Sequence, residues 1–172
     1  MSRNVRVFDC PPDAVFEVLA DAWLYPSWVV GASRMRDVDA SWPAPEARLH
    51  HSIGVWPVLI DDETRSLEWQ PPLRMRMRPS GWPLGEARVL MEVKPRGAGC
   101  VVRMQEEVVA GPGSWVPAPL MDVLLHLRNA ESLRRLAFLA EGRHRTGQDD
   151  TRPVPGPESQ AAGADPAGAE AR

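Results

Sequence analysis

The chain has 172 residues, 44% apolar and 25% charged, with a net charge of −3 and a pI near 5.8. That balance fits a globular domain with one hydrophobic core and lacks the basic excess of a general nucleic-acid binder. No stretch approaches the ~18 consecutive apolar residues of a membrane-spanning helix, and Met1–Arg6 runs into Asp9-Cys10-Pro11-Pro12 with no signal-peptide core. The expectation is a cytoplasmic protein with neither a nucleic-acid partner nor an integral membrane association. Cys10 and Cys100 form no C-x-x-C unit, so neither a disulfide framework nor a zinc site is expected. No G-x-S-x-G, phosphate-binding loop or dinucleotide fingerprint occurs. No metal or cofactor is implied.

In chain order, Asn4–Phe8 reads as a first strand, closed by Pro11-Pro12. Pro12 suits a first helical turn, where a missing N–H costs nothing, and Val15, Phe16, Val18 and Leu19 supply the apolar face of a helix of about two turns. A second short helix follows at Tyr25–Gly31, with Pro26 near its start and Gly31 as its stop. Strands are predicted at Met35–Asp39, Arg48–Ile53 and Leu59–Trp69. Leu73-Arg74-Met75-Arg76-Met77-Arg78 alternates, placing Leu73, Met75 and Met77 inside and three arginines outside. Ala87, Val89, Met91 and Val93 repeat that period, and Cys100–Val109 follows the turn at Gly97-Ala98-Gly99. Short Gly/Pro turns between regularly spaced strands predict an antiparallel meander. A long helix spans Leu120–Gly142, with Leu120, Leu124, Leu127, Ala130, Leu133, Ala137 and Ala140 as its apolar stripe.

From His144 to Arg172 about half of the residues are Pro, Gly or Ala and Val154 is the one large aliphatic. Such a segment buries too little apolar surface to offset its ordering entropy. The division is therefore a folded domain over 1–143 and a disordered tail over 144–172. One long helix against a curved antiparallel sheet of six or seven strands is an α+β architecture.

Strand, two short helices, meander and long C-terminal helix, in that order, resemble the START-like superfamily of polyketide cyclases, dehydrases and lipid-transport proteins. Pro12–Leu19 followed by Tyr25-Pro26-Ser27-Trp28 looks like its opening, Leu67–Arg74 like its central hairpin, Gly99–Glu106 like its last strand and Arg128–Leu136 like its final helix; Cys100 stands where a threonine is usual. The resemblance implies a helix-grip fold enclosing a hydrophobic cavity between sheet and long helix. It does not select a reaction, so function has to come from the site.

Met75, Met77, Met91 and Met104 fall on inward positions of neighbouring strands; flexible thioethers suit a cavity for apolar ligands and suit ordinary core filling equally. Trp28 and Trp69, among seven tryptophans, are candidates for stacking on a flat ligand, with loop packing as the plainer alternative. His50 and His51 point to opposite faces of one strand; if Leu49 and Ile53 face inward, so does His51. His51 and Glu106 form a candidate acid–base pair, against which stands a hydrogen-bonded structural histidine and a glutamate paired to an arginine. His126 carries the same two readings. Leu124 completes the expected lining from the long helix. Arg74, Arg76 and Arg78 are expected to pair with Glu68 or Glu92 on the solvent face, and Asp61-Asp62-Glu63 reads as a solvated turn. The leading expectation is a binder or carrier of a small lipid- or polyketide-like molecule; a cyclase or dehydratase using His51 and Glu106 is the alternative, and a protein-interaction module ranks third.

Overall fold

In the computed structural model the described residues are 2–80, 85–109 and 118–150. Strand β1 (Ser2–Phe8) leads into helix α1 (Pro12–Ala20), a 3-10 turn at Ala22–Leu24 and the single-turn helix α2 (Tyr25–Trp28). The meander follows: β2 (Ala32–Val38), β3 (Arg48–Val55), β4 (Val58–Gln70), β5 (Arg74–Pro79), β6 (Ala87–Arg96) and β7 (Gly99–Val108). Helix α3 (Ala118–Asp150) closes the described chain. The strands form one antiparallel sheet in the order β1-β7-β6-β5-β4-β3-β2, so only β1 leaves its sequence neighbour, pairing with β7 across the sheet. This is the helix-grip α+β fold.

Alternation explains the two faces of the sheet. Met75 and Met77 on β5, Val89, Met91 and Val93 on β6, and Cys100, Val102 and Met104 on β7 are all buried on the concave side. On the convex side Glu68 and Glu92 sit among Arg74, Arg76 and Arg103 at 3.3–3.8 Å, the cross-strand pairing expected of a solvent face. Leu73 departs from the pattern. It is 58% exposed, because the Leu73 N–H donates to the Gln70 carbonyl and closes the turn before β5 begins.

Helix α3 packs against β1, α1, α2 and β7, but not through the stripe that spacing suggested. Leu120, Leu124 and Leu127 are more than half exposed and Ala130 is also exposed. The face turned inward carries Leu125, Asn129, Ser132, Leu133, Leu136, Ala137 and Ala140. The reason is geometric. A helix turns about 100° per residue, so each step of three falls about 60° short of a full turn. Three such steps, from Leu133 back through Ala130 and Leu127 to Leu124, rotate the pattern to the opposite face.

The boundary expected at residue 143 also falls inside this helix. Residues 144–150 continue it, with the Thr146 hydroxyl donating to the Gly142 carbonyl; extending a formed helix fixes few dihedrals per hydrogen bond gained, and the first proline beyond is Pro153. The expected tail from 151 onward lies outside the described residues, as do Trp82 and Trp115. Among the described residues no helix is long and apolar enough to cross a membrane.

Candidate functional site

Sheet and long helix diverge toward the N-terminal end of α3, leaving a cavity of about 370 Å³ between them. Its walls come from α2 (Tyr25, Trp28), β3 (His51, Ile53), β4 (Ile60, Asp62), β5 (Met77), β6 (Ala87, Val89), β7 (Met104, Glu106, Val108) and α3 (Leu125, Arg128). The volume lies near the lower end of the ~300–1,000 Å³ typical of small-molecule sites. At one edge the Gly54 N–H donates to the Gly31 carbonyl at 3.0 Å. Gly54 has φ +107°, and a Cβ there would collide with the Val58 carbonyl, so this rim of the cavity requires glycine.

Of the expected ligand-contacting residues, Trp28, His51, Met77, Met104 and Glu106 line this cavity. Four others do not. Met75 and Met91 are fully buried in the solid part of the core. Trp69 packs at its edge, its ring tilted on Phe16 with centroids 5.1 Å apart. Leu124 faces solvent for the helical reason given above, and its neighbour Leu125 takes the place in the wall. His126 is exposed too; its backbone carbonyl, not its ring, is engaged, accepting from the Asn4 amide.

The polar groups of the cavity form two sets. In the first, the Tyr25 hydroxyl lies 3.0 Å from Thr64 Oγ1, which lies 3.0 Å from His51 Nε2. The Tyr25 and His51 rings also stack at 4.9 Å, and Trp28 meets Tyr25 edge-on at 5.5 Å. Burial pushes the Tyr25 phenol up to about 12, with the Thr64 hydrogen bond acting against it. Burial likewise holds the His51 imidazole below its ordinary value, opposed by the Asp62 carboxylate. His51 is therefore neutral at physiological pH. In the second set, Arg128 Nη2 donates to both carboxylate oxygens of Glu106, at 3.0 and 3.1 Å. Glu106 is 2% exposed, so the guanidinium compensates a charge that has lost its water. Glu106 thus pairs with an arginine, the plainer of the two sequence readings, and no His51–Glu106 hydrogen bond is present among the described residues.

His51 and Arg128 each keep one nitrogen, Nδ1 and Nε, buried against protein with no hydrogen bond of good geometry among the described residues. A buried donor or acceptor left unmade costs about 1–3 kcal/mol.

Sequence reasoning missed Tyr25, Asp62, Thr64 and Arg128. Asp62 is the clearest correction: Asp61-Asp62-Glu63 is no turn but part of β4, where alternation sends Asp61 and Glu63 outward and Asp62 inward. It is the cross-strand partner of His51. The hairpin register alone would have exposed it. Among the described residues no group of three or more His, Cys, Asp or Glu side chains is arranged to hold a metal. A second depression, about 440 Å³, lies on the outer face of the sheet, where Leu67 and Leu90 sit among Arg76, Arg88, Gln105 and Glu107.

A helix-grip sheet with a mostly apolar chamber and a few inward polar groups defines the class. Residues 2–141 match the family described as polyketide cyclase / dehydrase and lipid transport, and the chain belongs to that family. Among solved structures, protein CV1439 of Chromobacterium violaceum is 19% identical with a TM-score of 0.61, covering 81% of this chain and 96% of its own. Protein NE0264 of Nitrosomonas europaea is 16% identical with a TM-score of 0.63, covering 87% and 96%. Ara h 8.0201 has the same fold at 10% identity and a TM-score of 0.63, covering 84% and 96%. At these identities the likeness is one of fold. No curated protein matches the sequence.

Proposed function

We propose that the domain binds a small apolar molecule in the chamber between sheet and long helix, as a carrier or receptor. The observation that carries this reading is the cavity of about 370 Å³, walled mainly by Trp28, Ile53, Ile60, Met77, Val89, Met104, Val108 and Leu125. Apolar surface withdrawn from water contributes about 25 cal/mol per Å², so a compact hydrophobic ligand would draw most of its affinity from burial and its orientation from His51 and Arg128. Membership of a family described by lipid transport supports the same reading.

The cyclase or dehydratase alternative requires His51 and Glu106 to move protons together. The engagement of Glu106 with Arg128 favours the carrier, while the neutral, buried imidazole of His51 keeps a single-base reaction open to test. Native mass spectrometry of freshly purified protein separates the readings from the interaction-module view. A retained apolar compound, reduced in an Ala87→Leu variant whose new side chain projects into the chamber, supports the carrier. No adduct in the wild type, together with no binding of any apolar probe, overturns it. His51→Ala then separates carrier from enzyme: an enzyme loses about 10²-fold or more in turnover, a carrier retains most of its affinity.

A further inference from the structure

Helix α3 changes character along its length. From Leu133 onward it turns Leu133, Leu136, Ala137 and Ala140 inward, as a helix on a hydrophobic core does. Its first turns do the reverse. Inward they present Leu125 together with Arg128, Asn129 and Ser132, while Leu120, Val123, Leu124 and Leu127, at spacings i, i+3, i+4 and i+7, are each 53–63% exposed on the outer face. Glu131 ends this stripe one turn later, held by Arg134 and Arg135 at 2.7 and 2.8 Å. Beyond it, Phe138 is the one exposed large apolar residue of the helix among the described residues. The apolar outer face therefore belongs to the turns that roof the chamber.

A second exposed apolar group flanks the same chamber. The β3–β4 hairpin turns at Trp56-Pro57, just beyond the chamber-lining Ile53, Gly54 and Ile60. Trp56, Val58 and Leu59 are all exposed there, Trp56 by 82%. Size and composition narrow what covers these groups. A stable dimer buries about 800 Å² per partner, with roughly 20–30 residues a side, and four residues on one helix face fall far short. Residues 151–172 hold one large aliphatic, Val154, too little to cover four. A bilayer needs no matching shape. It takes up the apolar face of a helix lying in its surface to a depth of ~5–10 Å, and it favours tryptophan at the headgroup level. The net charge of −3 offers no attraction to anionic lipid.

We infer that the outer face of α3 over Leu120–Leu127, with the Trp56 hairpin as a second anchor, is a docking surface for a zwitterionic lipid bilayer. Docking there sets the chamber one helix thickness from the acyl chains. The surface stands on exposure and spacing, and it does not require the chamber to be occupied.

Flotation of the full chain with phosphatidylcholine vesicles tests this. A bound fraction is expected, unchanged between about 0.05 and 0.5 M salt because no charge attraction is used. Leu124→Glu combined with Leu127→Glu is expected to lower the partition coefficient at least about tenfold. Trp56→Ser, made separately, is expected to lower it about threefold or more. Both variants should keep the wild-type urea midpoint, since the replaced side chains touch solvent, so lost flotation reports docking and not unfolding. Wild type that stays unbound, or variants that float as well as wild type, overturns the inference. So does a wild-type dimer in sedimentation velocity that the double variant converts to monomer, because a second copy then covers the stripe. Each of those results leaves the carrier reading standing, since retention of an apolar compound is measured separately by native mass spectrometry.

Discussion

The same strands build two different interiors. Toward the C-terminal end of α3, Leu133, Leu136, Ala137 and Ala140 pack tightly with Phe8, Met75, Met91, Cys100 and Val102, most of them without measurable exposure. Two residues farther along the same strands, Met77, Val89, Met104 and Glu106 face open space under Leu125 and Arg128. The strands do not change character between the two regions; the helix does. Ala137 and Ala140 allow close approach to the sheet, whereas Arg128, Asn129 and Ser132 place polar groups on the inward face, and those demand partners and room. Ser132 Oγ accepts the Val30 N–H at 3.2 Å, tying α3 to the loop after α2 instead of to the sheet. A solid core and a chamber therefore follow from which residue types one helix turns inward.

The comparison can be broken in measurable ways. The largest effect is expected at Leu136, fully buried in the solid region. Leu136→Ala should cost about 2–5 kcal/mol in urea unfolding, lost transfer energy plus the void left behind. A loss below about 1 kcal/mol would mean that this region is not close-packed.

The contrast sharpens with two insertions of the same size. Ala137→Leu in the solid region should lose about 1–3 kcal/mol to overpacking, while Ala87→Leu on the chamber wall should change stability by less than about 1 kcal/mol. Equal losses would show the chamber to be filled by its own side chains.

Next comes pH. Burial holds His51 below its usual value of 6.5, so the unfolded chain takes up its proton first as the solution is acidified. The contribution is complete above about pH 6.5 and is lost as pH falls through that value, with a slope of at most about 1.4 kcal/mol per unit. Urea midpoints measured on both sides of that value should diverge in the wild type and converge in His51→Gln.

The smallest change belongs to Cys10 and Cys100, whose thiols burial pushes up to about 12 and about 11. Neither should react with a disulfide reagent at neutral pH until the domain unfolds globally. Prompt labelling of either would show that the solid region opens on its own.

How legible all this was depends on the kind of signal. Strand alternation has a period of two, so Met75, Met77, Val89 and Met91 and the outward arginines could be placed from their letters, while Leu73, in the turn before β5, could not. His51 was placed from Leu49 and Ile53 by the same parity. Helical phase is less forgiving. Choosing only apolar letters on α3 carried the reading around the cylinder to Leu124 and past Asn129 and Ser132, which are buried although polar. Asp62 and Thr64 were hidden for a related reason: polar letters read as surface until the hairpin register sets Asp62 across from His51.

Local periodicity was therefore enough to decide the element order, the antiparallel sheet and the sidedness of each strand, because those depend on neighbours a few residues apart. Which inward residues meet solid packing and which meet a void was decided only in three dimensions. That outcome depends on how closely α3 approaches each stretch of the sheet, a distance set by side chains that lie on other elements, far outside the window of local periodicity.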